Sequence, residues 1–328
     1  MLYIAQTVFL FDYFNLLKYY SSLMKVRLFY KENYMKKIVM ATLLAMVGFA
    51  ASAQVAVTGK ASVWMDNTKV GSASATSQVV EPTSNIAFSV KEDLGNGVVA
   101  RGVIETSLVG NTINGVGTEL GDRQSTVGLA SKFGSIDFGR NVHSQFLAVT
   151  KNDAFGTLYG SVAGDVHNLR GLRLSQGTFV TLTPIQNVSF SYDRTQTGVG
   201  SEAQSYAVAT SIAGVSMTVA EFKQGAEKST VLGLGAKLGA ANLFYTHSDD
   251  EGLQNSRGDL VGVRYTLANN LVGKASYGKT NTDVKASSVG LDYLLSKRTE
   301  VGVAYRNVDR AGTAYDVKQV GVGLTHRF

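Results

Sequence analysis

The 328-residue chain has no cysteine, only two prolines and only 17 % charged residues. Without a thiol there can be no disulfide framework, thiolate metal site, iron–sulfur cluster or cysteine nucleophile. Both prolines, Pro82 and Pro184, fall in expected connections, which suits strands whose interiors need every N–H for the ladder. Residues 54–328 hold no long uninterrupted apolar run, and this excludes a helical membrane protein. The four histidines (His143, His167, His247 and His326) are too dispersed for a zinc site, and no H-E-x-x-H or aspartate-rich calcium loop occurs. No cofactor is expected. The net charge of +6 invites a nucleic-acid reading. Of the 31 cations and 25 acids, however, six and two lie in residues 1–53, leaving a net of only +2 for 54–328. The basic character belongs largely to the leader, so nucleic acid is not an expected partner.

That leader has a recognisable form. Met35-Lys36-Lys37 precedes an apolar run from Ile38 to Ala50 and then Ala51-Ser52-Ala53, the pattern of an export signal cleaved before Gln54. Ten of residues 1–34 are Tyr or Phe, with no Gly or Pro among them. Translation is expected to begin at Met35, with 1–34 a spurious extension, 35–53 a signal peptide and 54–328 a single domain.

In that domain apolar residues alternate with Gly, Ser, Thr and charged ones, broken every 8 to 12 residues by turn clusters. Ile86, Phe88 and Val90 alternate with Ala87, Ser89 and Lys91, and Val188, Phe190 and Tyr192 with Ser189, Ser191 and Asp193. The last segment sets Val320, Val322, Leu324, His326 and Phe328 against Gly321, Gly323, Thr325 and Arg327. Sixteen such segments can be counted, starting near 54, 84, 97, 123, 134, 168, 188, 203, 214, 229, 241, 257, 271, 284, 299 and 315. Short turns alternate with longer links near 68–83, 108–122, 141–167 and 249–256. The second face has too little bulk to fill a dry sandwich core. Export, an even strand count and turn asymmetry favour a transmembrane antiparallel up-and-down β-barrel of about 16 strands. At that size the lumen stays wet.

Several stretches carry a family likeness: Lys91-Glu92-Asp93-Leu94-Gly95-Asn96-Gly97, Val103-Ile104-Glu105 and Val127-Gly128-Leu129. Phe133-Gly134-Ser135-Ile136-Asp137-Phe138-Gly139-Arg140 and the terminal Thr325-His326-Arg327-Phe328 are the most specific. Across 54–328 the chain resembles the Gram-negative general porins of β-proteobacterial type. The resemblance implies a homotrimer of sixteen-stranded barrels in the outer membrane, in contact with its lipid and lipopolysaccharide. It also implies a third loop folded inward and a Phe328 read by the barrel-assembly machinery.

A diffusion pore for small hydrophilic solutes and ions needs no catalytic group, only a constriction whose charges set ion preference. Strand parity with Val98, Ala100, Gly102 and Ile104 outward turns Arg101 and Glu105 inward. Parity with Leu172, Leu174, Val180 and Leu182 outward turns Arg173 inward. The same test places Lys60, Arg264, Lys274 and Arg306 on the pore wall, with Lys91, Lys237 and Arg327 also inward. The inward acids are Glu105, Asp137, Asp193 and Asp292. Arg140 shares parity with the lipid-facing Ile136 and Phe138, where it would cost roughly 2–4 kcal/mol. The resemblance puts this arginine in the pore, at the root of the third loop, and a bulge or strand end at Gly139 would reconcile the two. The third loop is expected at 141–167. The resemblance sets its Asp153, with Glu105, against Arg101, Arg140 and Arg173, and these five form the expected constriction. Asn85 stands where the family is often basic. Inward cations outnumber acids, so a mild anion preference is expected.

Other chemistries fit less well. His247 and Ser248 are adjacent on one strand and point to opposite faces, which argues against a lipid-facing hydrolase. Gly233-Leu234-Gly235 lies inside a strand and fails the context test for a dinucleotide site. A substrate-specific channel is the more serious alternative, but few inward positions are aromatic, Phe179 and Phe244 among them.

Overall fold

The structure, a computed structural model, describes residues 54–328 apart from 109–118, 168, 170–171, 196–201, 253–255 and 312–314. The expectations for residues 1–53 lie outside the described residues. The strands are β1 (Gln54–Val70), β2 (Ala73–Val80), β3 (Asn85–Gly95), β4 (Val98–Ser107), β5 (Gln124–Ser131) and β6 (Gly134–Val142). After two short helices, α1 (Ser144–Lys151) and α2 (Ala163–Val166), come β7 (Arg173–Ile185), β8 (Val188–Thr195), β9 (Ala203–Ile212) and β10 (Val215–Gln224). The chain finishes with β11 (Glu227–Leu238), β12 (Ala241–Glu251), β13 (Ser256–Ala268), β14 (Leu271–Thr280), β15 (Val284–Leu294), β16 (Thr299–Arg310) and β17 (Val317–Arg327).

Neighbours in sequence pair antiparallel all the way round, and β1 closes the sheet on β17 from Lys60↔Arg327 to Val70↔Val317. The lower half of β1 pairs with β3 and its upper half with β2, so these two are halves of one wall strand. The seventeen strands therefore occupy sixteen wall positions, and the cylinder is closed. This corrects one boundary. The expected link near 68–83 is instead a tight β1–β2 hairpin at Gly71-Ser72, and the wall is interrupted only at 81–84. Pro184 also lies within the end of β7, at a register shift between Leu182 and Ile185, where its missing N–H is tolerated.

The outside is apolar. Val127, Leu129, Phe138, Leu182, Phe190, Val261, Val289 and Val322 are all exposed. Exposed apolar area on this scale is a lipid-facing surface, not the surface of a soluble monomer. Tyr265 and Tyr293 lie toward the short-turn end and Tyr206 and Tyr277 toward the long-loop end, matching the aromatic girdles of membrane barrels. Among the described residues no helix is long and apolar enough to cross a membrane.

The segment between β6 and β7 folds into the barrel and lies on its inner wall. The wall caps α1: Asp193 on β8 accepts from Ser144 N (2.6 Å) and Ser205 on β9 from Gln145 N (3.0 Å). Each satisfies a helix N–H that has no partner within the helix, and the Asp193 charge sits at the favourable dipole end. Beyond α1 the segment settles onto wall glycines. A Cβ at Gly290 would come within 2.9 Å of the Phe155 ring, and one at Gly262 within 3.0 Å of Ala154 Cβ. Asn152 lies over Gly233, and Val166 lies over Gly258 and Gly278. The glycines of the inner face are thus a seat for the loop.

The loop's last anchor is His167, buried with Nδ1 2.8 Å from Ser248 Oγ and Nε2 2.6 Å from Thr246 Oγ1. Burial, and after it the neighbouring His247, push the His167 imidazole down to about 4, so it is neutral when docked.

Two outcomes follow from this seating. Gly278→Val forces Val166 off the inner wall and costs about 1–3 kcal/mol of stability, as overpacking does, read as a lower denaturant midpoint, whereas Val261→Ile on the lipid face leaves the midpoint in place. The His167 contribution is complete above pH of about 6.5 and falls until about 4, because the undocked imidazole takes up the proton that the docked one refuses. The loss is on the order of 3 kcal/mol. Amide exchange at Asp165 and His167 accelerates through that window, and His167→Gln removes the pH dependence.

Candidate pore constriction

Between the inner loop and the opposite wall lies a cavity of about 910 Å³. The loop side contributes Phe146, Leu147, Thr150, Thr157, Leu158 and Tyr159. The wall side contributes Lys60, Asn85, Arg123, Arg173 and Arg306, with Glu81 its one lining acid. Four cations therefore face one carboxylate across a mainly uncharged loop.

Local sequence explains how each cation arrives there. Arg173 opens β7, and its Nε is buried with no partner among the described residues. Arg123 immediately precedes β5; it pairs with Glu105 and donates from Nη1 to Pro82 O at 2.8 Å. Lys60 on β1 lies 3.0 Å from Glu81 Oε2. Arg306 on β16 donates to Ser161 O at 3.1 Å and approaches Asp165 at 3.4 Å. Asn85 is the ladder partner of Lys60, so the position left neutral has a cation directly beside it.

Arg140 does not line the cavity, and on the β5–β6 ladder it pairs with Ser125 in unbroken register with the outward pair Val127 and Phe138. Gly139 takes φ +128, a region that favours glycine, and the β6–β7 register shifts between Gly139 and Asn141. The guanidinium then donates from Nε to Asp122 O at 2.6 Å and from Nη1 to Ser175 Oγ. Arg173 is within electrostatic reach of Arg123, Arg140, Glu105 and Asp122. The same register break alters β7. Leu174, expected outward, is buried inside against Phe179, Ala203 and Phe222, because Gln176 at φ +52 reverses the alternation.

Of the five expected constriction residues only Arg173 lines the cavity; Glu105 and Arg140 do not line it, and Arg101 and Asp153 stand elsewhere. Arg101 lies toward the short-turn end, bound through Nε and Nη2 to both oxygens of Asp137 (Nε–Oδ1 2.8 Å). Asp153 is 2 % exposed and faces its own loop, accepting from Thr157 N and Ser161 Oγ at 2.7 Å each. It ties the loop's turns together and does not oppose the arginines. The loop acid that meets wall cations is Asp165, shared by Arg306 and Arg310 (2.7 Å).

Other inward cations hold the loop in place. Arg264 donates from Nη2 to Ala154 O at 2.6 Å. Lys274 pairs with Asp292 at 2.7 Å, its ammonium 4.9 Å from the centre of the Phe155 ring. Sequence reasoning missed Glu81, inside the link expected near 68–83, and Arg123, at the start of the segment expected near 123. Their signal was the basic or acidic residue abutting a strand end. The C-terminal Phe328 exchanges both backbone hydrogen bonds with Gly59 (2.9 and 3.0 Å), and its ring covers that glycine. His247 faces outward and meets Asp259 at 2.9 Å, whereas Ser248 is buried inside on His167.

Comparison with known proteins places this geometry. A family model described as Gram-negative porin matches residues 41–328. The major outer membrane protein P.IB of Neisseria meningitidis is 34 % identical over 114 residues, 32 % of this chain and 34 % of that protein. The match thus spans about a third of that relative's length. Among solved structures, the anion-selective porin from Comamonas acidovorans superposes with TM-score 0.72 at 17 % identity, covering 84 % of this chain and 100 % of that one. OmpF of Salmonella typhi, solved with daunomycin, gives 0.67 at 16 %, covering 85 % and 99 %. The trimer form of OmpT from Vibrio cholerae gives 0.64 at 11 %, covering 84 % and 100 %. At these identities the structures speak for the fold, while the family model spans the whole barrel: the chain belongs to the Gram-negative porin family.

Proposed function

We propose that the protein is an outer-membrane general diffusion channel that passes small hydrophilic solutes and ions and prefers anions. The observation that carries this reading is the cavity between loop and wall, lined by Lys60, Arg123, Arg173 and Arg306 against Glu81 alone. Low-dielectric walls focus the field of such a cluster and raise the local concentration of anions. Rings of like charge are the usual determinant of ion preference in pores.

The reading as a general pore is supported by the aromatics. Phe179 is buried against Leu174 and Phe222, and Phe244 packs on the Trp64–Phe155 cluster. Neither lines the cavity; its lining aromatics are Phe146 and Tyr159 of the loop, and Tyr159 is already stacked on Trp64. The exposed apolar exterior suits lipid and lipopolysaccharide as neighbours. A homotrimer is supported by the fold it shares with the OmpT trimer form. Phe328, ending the closing strand with its ring 40 % exposed, is the candidate signal for the barrel-assembly machinery. No catalytic role is assigned.

Two recordings test the reading. Liposome swelling shows a cutoff by sugar size without saturation; saturation would overturn general diffusion in favour of a specific site. In planar bilayers under a KCl gradient the reversal potential has the sign of anion preference, and Arg173→Glu lowers the anion-to-cation permeability ratio roughly tenfold. Each of the two charge units removed, at about 12 Å from the ion in water, acts oppositely on anion and cation and is worth roughly threefold in their ratio.

A further inference from the structure

We propose that Trp64 and Glu81, both on the wall, divide control of the constriction through one loop residue, Tyr159. The Trp64–Tyr159 stack fixes its width, and the Glu81 carboxylate fixes its charge. The inference rests on the channel reading above and adds the residues that set size and ion specificity separately.

Trp64 is the single tryptophan of the chain and is buried on the inner wall. Its indole lies across Gly302 and Gly323, where a Cβ on either residue would collide with it. The indole Nε1 donates to Ser62 Oγ at 3.1 Å, and Ser62 Oγ lies 2.7 Å from Thr325 Oγ1. The ring is therefore held flat in a groove made by glycines and fixed at one edge. On its open face stacks Tyr159, centroid to centroid 4.0 Å at 13°.

Tyr159 is held at both ends. Its phenol donates to Asp66 Oδ2 at 3.2 Å, and it covers Gly321. Burial first, then the Asp66 charge, push the phenol above its ordinary value, so it remains a donor. Its backbone N–H donates to Glu81 Oε1 at 3.0 Å.

Glu81 reaches the loop because the wall strand breaks there. Glu81 N donates to Ser62 O (2.9 Å), Ser84 N to Glu81 O (2.8 Å), and Ser62 N to Ser84 Oγ (3.0 Å), so the interruption between β2 and β3 is a built turn. With one oxygen on Tyr159 N–H, Glu81 presents the other to Lys60 Nζ at 3.0 Å. It is thus both the latch for the loop tip and the counter-charge to a lining cation. The two contacts are separable: an amide at position 81 can still accept from Tyr159 N–H but cannot neutralise Lys60.

Three variants test the division in bilayers and liposomes: Trp64→Leu, Tyr159→Leu and Glu81→Gln. Heat-modifiable mobility on gels certifies a folded barrel for each. Should the wall substitution at Trp64 impair folding, Tyr159→Leu removes the same stack from the loop side alone. Both aromatic variants admit larger neutral sugars than the unaltered channel and leave the KCl reversal potential in place. Glu81→Gln raises the anion-to-cation permeability ratio roughly threefold, the opposite effects on anion and cation of one charge at about 12 Å in water, with the sugar cutoff unchanged. An unchanged cutoff in a folded aromatic variant, or a Glu81→Gln effect on cutoff with none on the ratio, overturns the proposal. Unaltered protein that passes neither sugar nor current overturns the channel reading itself, a separate result.

Discussion

The structure depends on the seam between β1 and β17. Hydrocarbon offers no partner to a backbone N–H or C=O, so a spanning sheet with open edges is not viable. Eleven residues of β1 meet eleven of β17 across that seam, and Phe328 extends it by pairing with Gly59. Closure in turn fixes the meaning of the alternation. One face must be apolar toward lipid, and the other is enclosed and holds whatever the lumen requires.

What this lumen requires is a surface on which a loop can lie close to backbone. Glycines at 233, 258, 262, 278, 290 and 321 supply it on β11, β13–β15 and β17. The cations on that side are engaged with the loop, Arg264 on a carbonyl and Lys274 over a ring. The loop also meets β1 and the turn before β3, through Tyr159 on Trp64, Asp66 and Glu81. Farther along the wall Arg173 lines the cavity with a buried Nε that has no partner among the described residues.

The alternation of Val188, Phe190 and Tyr192 with Ser189, Ser191 and Asp193 was legible from the chain alone, because strand parity is a local property. So was the conflict at Arg140: the irregularity expected at Gly139 appears as a β6–β7 register shift and a positive φ, while the β5–β6 ladder still keeps Arg140 in register with Phe138. Arg264 and Lys274 were expected on the inner face from parity alone, but the loop groups they meet lie far away in sequence. No periodicity reports that Ala154 O will meet Arg264, 110 residues on. Glu81 and Arg123 were hidden for a different reason. They sit where a wall strand breaks or begins, and a pattern search leaves such residues in connections or at segment starts. The glycines of the inner face read as absence of bulk, and their purpose is visible only once the loop lies on them.

The natural absence of cysteine offers a direct test of the central claim, that the space between loop and wall is wet and electropositive. Leu158 lines that space from the loop side. In a Leu158→Cys channel held in a bilayer, an anionic thiosulfonate reagent is predicted to react faster than a cationic one of equal size, each modification reducing the current in a discrete step. A thiol that neither reagent reaches, or one that the cationic reagent modifies faster, contradicts the account.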